Sequence, residues 1–225
     1  MTGVQTCALP ISGTDTGVGK TLISCALLLQ LAREGLSAVG MKPVAAGGVE
    51  TVEGWANDDV ESLRRYSGVA ADTSLICPYL LPAPVAPHIA ASETGRYIDL
   101  ATIRMRFRAL AALVDAVVVE GVGGFRVPLS ERHDTADLAA MLGLPVILVV
   151  GMRLGCLNHA LLTAEVIRAR GLTLAGWVAN QIDPQMARVA ENIEALNGWL
   201  PCPLLATIPF QPDPDPSCIN LLLAF

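Results

Sequence analysis

The stretch Gly13-Thr14-Asp15-Thr16-Gly17-Val18-Gly19-Lys20-Thr21 ends in Gly-Lys-Thr and opens onto the apolar run LISCALLLQLA. Backbone N–H groups of such a loop, with the N-terminus of the helix behind it, cradle phosphates; Lys20 would reach the terminal phosphates and the Thr21 hydroxyl would ligate Mg²⁺. The first glycine sits one residue early, at Gly13, with Thr14 where the common pattern has it. ATP or GTP binding is the chemistry expected. Glu120 follows the run AVVV and precedes Gly121, Gly123 and Gly124, glycines that let backbone approach a ligand. Beside a phosphate loop its carboxylate reads as a Mg²⁺ ligand, because Mg²⁺ takes one or two carboxylates plus phosphate oxygens. Asp59, in Asn57-Asp58-Asp59, is open to two readings, a helix cap or a further metal ligand. Lys42 ends another apolar run just before Pro43, and two ammonium groups at neighbouring strand ends suit a crowded anionic transition state. The turn Gly155-Cys156-Leu157-Asn158 opens a helix whose free N–H groups serve either as an ordinary cap or as a carboxylate site.

These residues need a scaffold that sets strand ends side by side. Apolar, β-branched runs at 37–42, 116–121, 145–151, 174–180 and 203–209 alternate with helical patterns at 20–34, 57–66, 99–113, 134–142, 155–170 and 184–198. Strands apolar on both faces and separated by helices predict an α/β domain, doubly wound around a mostly parallel sheet, with ligands beyond the carboxyl ends of its strands. With 225 residues, 52% of them hydrophobic, the chain is expected to form one domain, residues 1–225. The net charge of −6 and the absence of a cationic block argue against nucleic acid, and the apolar runs fall short of a membrane span. The six cysteines include no CxxC pair, so reduced thiols in a cytoplasmic protein are expected. The Pro-rich tail PFQPDPDPSCI reads as a surface loop.

GTDTGVGKT, MKPVAAGG, APHIAASETGR, VVVEGVGG, LPVILVVGMRLGCLNHALLTAEVI and LAGWVANQI together resemble the dethiobiotin synthetases, ATP-dependent ligases of biotin synthesis. The resemblance runs from residue 13 almost to the C-terminus and includes the early Gly13. It implies a homodimeric P-loop fold that is Rossmann-like, and the conversion of 7,8-diaminononanoate, CO₂ and ATP to dethiobiotin, ADP and phosphate. By motif it implies Lys20, Lys42 and Thr16 as catalytic residues and Thr21, Asp59 and Glu120 as Mg²⁺ ligands. The loop Gly13–Thr21, Gly121, Gly123, Asn180 and Pro209 would bind ATP, with Asn180 on adenine. Lys42, Ala46 and the Gly155–Asn158 turn would meet the substrate, the turn acting across the dimer interface. Ala46 stands where some members carry a serine, and Gly17 where some carry a glutamate.

The first strand is the oddity. Residues 2–11, TGVQTCALPI, resemble a translated sequencing adapter, and residues 1–11 are expected to stand in for a native strand, with Pro10 removing a ladder N–H from a central position. Two other functions compete. A cobalamin-type amidoligase would need a glutaminase domain for which the chain has no room, and a ParA/MinD-like ATPase switch would carry a signature lysine at Asp15.

Overall fold

The computed structural model describes residues 7–52 and 54–223. In chain order the elements are β1 (Cys7–Gly13), α1 (Lys20–Arg33), β2 (Ala38–Met41), β3 (Val44–Ala46), β4 (Val49–Thr51) and β5 (Gly54–Ala56). There follow α2 (Asp58–Tyr66), α3 (Thr73–Ile76), β6 (Tyr79–Leu81), α4 (Pro87–Glu93), α5 (Leu100–Ala111) and β7 (Ala116–Glu120). The chain closes with α6 (Thr135–Leu142), β8 (Val146–Met152), α7 (Cys156–Ala169), β9 (Leu174–Gln181), α8 (Val189–Trp199), β10 (Leu204–Ile208) and a 3₁₀ turn at Pro216–Cys218.

Six strands form one sheet in the order β10-β9-β8-β1-β7-β2, every pair parallel. Alternation along β7 sorts its side chains onto two faces. Ala116 and Val118 pack with Leu27, Leu28 and Leu31 of α1, whereas Val117 and Val119 pack with Ile103 and Leu110 of α5. On that second face Val146, Leu148 and Trp177 meet Ala160, Ala164 and Ile167 of α7. Both faces are covered, which is why the strands read as unbroken apolar runs rather than alternating ones. This is the doubly wound α/β fold the sequence predicts. β1 lies between β7 and β8, where the winding reverses, so the loop that leaves it enters the crevice where such sheets bind ligands.

Several expectations are corrected. The helix expected from residue 184 begins at Val189, after Arg188 adopts a left-handed conformation at φ 58° that breaks the helical path. The two-stranded sheets β3–β6 and β4–β5, and the short helices α3 and α4, were not expected. The tail is more than a surface loop: Ile219 and Leu221 are buried in the α1-side core, and the Gln30 amide hydrogen-bonds both the N–H and the carbonyl of Leu221. Residues 1–6 of the adapter-like stretch lie outside the described residues, while 7–13 occupy the central strand. Pro10 is tolerated there for a reason of side. The Ile11 carbonyl accepts from Gly121 N–H towards β7, and Thr14 N–H donates to the Val149 carbonyl towards β8. Backbone groups of alternate residues point the same way, so Pro10 faces the β8 side, opposite Val146, where that strand only begins. The cysteines described individually, Cys25, Cys77, Cys156, Cys202 and Cys218, are free. Burial pushes the Cys25 and Cys77 thiols up to about 12, so neither is a nucleophile at neutral pH.

Candidate active site

The nucleotide loop runs from the end of β1 to the start of α1, and local sterics fix its shape. Gly19 sits at φ 91°, and a Cβ there would lie 2.2 Å from Asn180 Nδ2. Only glycine allows both the backbone conformation and the close approach. Asn180, buried near the end of β9, uses that nitrogen to donate to the Val18 carbonyl at 2.9 Å, bracing the loop from behind. A Cβ on Gly13 would in turn meet Val18 Cγ2 at 2.6 Å, which explains the glycine one residue early.

Four strand-end and helix-end residues converge on the front of this loop. Lys42, which follows β2 and is only 3% exposed, donates to Glu120 Oε1 at 2.5 Å and to Asp59 Oδ2 at 2.7 Å. Thr21 Oγ1 lies 2.7 Å from Asp59 Oδ1 and 2.9 Å from Glu120 Oε1. The two readings of Asp59 are separated by its neighbour: the Asn57 side chain caps α2, accepting from the N–H groups of Asp59 and Val60. Asp59 thereby turns its carboxylate into the cluster. Burial alone would lower the Lys42 pKa, but the Glu120 and Asp59 carboxylates outweigh it and hold the ammonium above its ordinary value. Burial likewise works against the Asp59 charge, yet Lys42 and the Thr21 hydroxyl carry its pKa below the usual carboxylate value. Lys20 behaves differently. Burial and the neighbouring Lys42 charge bring it down to about 8, and its ammonium donates to the Asp15 carbonyl at 2.9 Å.

A cavity of about 760 Å³ opens above the cluster, within the size range of small-molecule sites. Thr16, Gly17, Gly19, Lys20, Thr21, Lys42, Ala46, Asp59, Glu120 and Gly123 all line it. The sequence reading missed its opposite wall, Pro84 to Pro87, for which the run PAPVAP was the available signal. It also missed the ion pair between Arg153 Nη2 and Asp15 Oδ2, whose partners are 138 residues apart. Gly121 lies beneath the cluster, its carbonyl 3.3 Å from Lys42 Nζ. Pro209 follows β10, where Ile208 pairs with Asn180. The turn Gly155, Cys156, Leu157 and Asn158 heads α7 but does not line this cavity within the chain.

The donor set fits Mg²⁺. Glu120 is fully buried, and its Oε2 has no hydrogen-bond partner among the described residues. An orphaned carboxylate oxygen beside a hydroxyl and a second carboxylate, all hard oxygen donors, is the arrangement that this ion completes with phosphate and water. Among the described residues no group of three or more His, Cys, Asp or Glu forms a closed metal cage.

A phosphate loop at the switch point of a parallel sheet, with lysines and carboxylates at adjacent strand ends, defines a P-loop NTPase-like α/β protein. The model of the AAA domain family matches residues 8–217. The chain is 58% identical over 207 residues to the ATP-dependent dethiobiotin synthetase BioD of Aromatoleum aromaticum, covering 92% of each. It is 53% identical over 205 residues to the protein of the same name from Ralstonia nicotianae, covering 91% of this chain and 90% of that one. This chain belongs to the dethiobiotin synthetase family. Among solved structures it resembles the septum site-determining protein MinD of Pyrococcus horikoshii, with a TM-score of 0.58 at 20% identity over 92% of this chain and 83% of that one. A ParA family ATPase from Chlorobium tepidum gives 0.57 at 13% identity, over 93% and 87%. These last two likenesses are of fold alone. No helix among the described residues is long and apolar enough to cross a membrane.

Proposed function

We propose that the chain is a cytoplasmic, homodimeric ligase that forms dethiobiotin from 7,8-diaminononanoate, CO₂ and ATP. The observation that carries this reading is the convergence of Lys20, Lys42, Thr21, Asp59 and the unsatisfied Glu120 on one cavity. One amine of the substrate adds to CO₂, losing a proton and forming an N–C bond to give a carbamate. A carbamate oxygen attacks the γ-phosphorus and ADP departs, leaving a carbamic-phosphoric anhydride. The second amine attacks the carbonyl carbon, loses its proton and expels phosphate, closing the ureido ring.

The residues act by position and charge. Lys42 lies close enough to help lower the Lys20 pKa, and the two would neutralise the γ-phosphate and the carbamate between them. Thr16 lines the cavity, where its hydroxyl would donate a hydrogen bond beside the carbamate. Thr21, Asp59 and Glu120 would hold Mg²⁺, which would supply charge neutralisation beside the nucleotide phosphates. With one amide N–H donating to Val18, Asn180 keeps Oδ1 as an acceptor that suits the exocyclic amine of adenine. Pro209 flanks the base, and the loop Gly13–Thr21 with Gly121 and Gly123 holds the phosphates. The Gly155–Asn158 turn, remote from its own chain's cavity, serves the substrate carboxylate in the partner's site; Ala46 lines the carbamate end without the hydroxyl that some relatives place there. This reading takes in one domain over residues 1–225 and a substituted first strand at 1–11, the latter supported by the adapter-like sequence of residues 2–11.

The test is phosphate release from purified protein with MgATP, with and without diaminononanoate and bicarbonate. Release should require both and vanish in Lys20→Ala and Lys42→Ala. ATP turnover indifferent to them would replace this reading by a ParA/MinD-like switch.

A further inference from the structure

We infer that Arg153 is a positioning residue for the nucleotide loop, acting by neutralising and anchoring Asp15. Asp15 stands at the crest of the loop and is bound three ways. Its Oδ1 accepts from Thr16 N–H at 2.8 Å, its carbonyl accepts from the Lys20 ammonium at 2.9 Å, and its Oδ2 pairs with Arg153. The first two contacts stay within the loop, and the ion pair adds a side-chain tie from the end of β8 to the backbone tie at Thr14 and the Asn180 brace at Val18. Arg153 is well placed as an anchor: it follows the last residue of β8, and its own carbonyl accepts from Cys156 N–H at 3.0 Å at the head of α7.

Charge gives the pair its consequence. Asp15 does not itself line the cavity, but its carboxylate without a counter-ion would add negative charge to the loop that cradles the polyanion, with only Thr16 N–H left on its Oδ1. The guanidinium cancels that charge while its Nη2 contact with Oδ2 fixes where the carboxylate points. Both side chains are more than 40% exposed, so the pair contributes little to folding. Its effect falls on ATP.

The inference rests on the ATP-dependent reading above, and kinetics separate the two. In the full-length chain Arg153→Met should raise KM for ATP about three- to five-fold, the range expected of one partly exposed charge pair. kcat for substrate-dependent phosphate release and the urea midpoint should change little. Arg153→Lys should retain most of the ATP affinity, and Asp15→Asn added to Arg153→Met should recover much of what was lost, since the uncompensated charge is then gone. An unchanged KM in Arg153→Met, a fall confined to kcat, or no recovery in the double variant would each overturn the inference while leaving the ligase reading intact. Wild-type protein that releases no phosphate from ATP under any condition would overturn both.

Discussion

Lys42 is a charge placed where water cannot reach it, and what makes that tolerable is the pair of carboxylates it touches. Glu120 is wholly buried, so Lys42→Met would leave its Oε1 with the Thr21 hydroxyl alone and no counter-charge, beside an Oε2 that already lacks a partner. Breaking a buried pair from one side costs about 3 kcal/mol or more, and the variant's unfolding free energy in urea should fall by that order. An unaltered urea curve would mean that Glu120 is held by something other than Lys42. Gly19→Ala makes the complementary case. The added methyl would strike Asn180 Nδ2 and strain a left-handed backbone, so ATP binding measured by titration should weaken at least tenfold while the far-UV spectrum persists. The site was legible to the extent that chemistry sits at strand ends: Lys20, Thr21, Lys42 and Glu120 each follow or precede an apolar run. Asp59 was legible only as a choice, because an Asn-Asp-Asp triplet does not say which member caps the helix. Arg153 was not legible at all, since an ion pair across 138 residues leaves no local spacing to read.

Among the elements, the long buried strands announced themselves and the short ones did not. β3, β4, β5 and β6 are three residues each, too brief for a period, and β4 is exposed throughout. β1 shows how a poor strand sequence can hold a central place: its ladder to β7 avoids the proline, and its neighbours on both sides are strong. The cost is a cavity of about 50 Å³ lined by Pro10, Val119, Leu138, Leu142 and Val146. At about 24 cal/mol per Å³ of cavity the void costs at most about 1 kcal/mol, and Pro10→Ile, one carbon larger than proline, should recover part of it, seen as a higher urea midpoint. A lower midpoint would show that proline's stiffness outweighs the void. The start of β2 is held to β7 by Ser37, whose hydroxyl and N–H donate to Asp115 at 2.6 and 2.9 Å. Those hydrogen bonds, the hydroxyl's first, lower the Asp115 pKa from its ordinary 3.8. A carboxylate with a lowered folded value stabilises above its ordinary pKa and loses that contribution as pH falls through the folded one. Asp115→Asn should therefore be less stable than wild type at neutral pH, with the gap closing below about pH 4. A gap that stays constant down to acid pH would assign the effect to packing.

At the scale of the whole molecule, one chain brings a phosphate-binding loop and a cluster of oxygen donors to one cavity but leaves the Gly155–Asn158 turn outside it. Just before α7 Leu154 is 96% exposed, and in the middle of the helix Leu162 is 54% exposed, apolar surface that the proposed second copy would cover. If each substrate site joins the loop of one subunit to the turn of the other, two different defects can be segregated. Lys20→Ala disables the loop on its own subunit, and a Gly155→Asp-Asn158→Asp variant disables the turn that the neighbouring site uses; each should be inactive as a homodimer. In a mixed dimer one site inherits both defects and the other inherits neither. Random reassociation of equal amounts makes half the dimers mixed, each with one sound site of two, so about a quarter of wild-type phosphate release should return on mixing. Two inactive proteins that stay inactive after verified subunit exchange would mean that loop and turn serve the same chain, and that α7 must move to bring its head over the cavity.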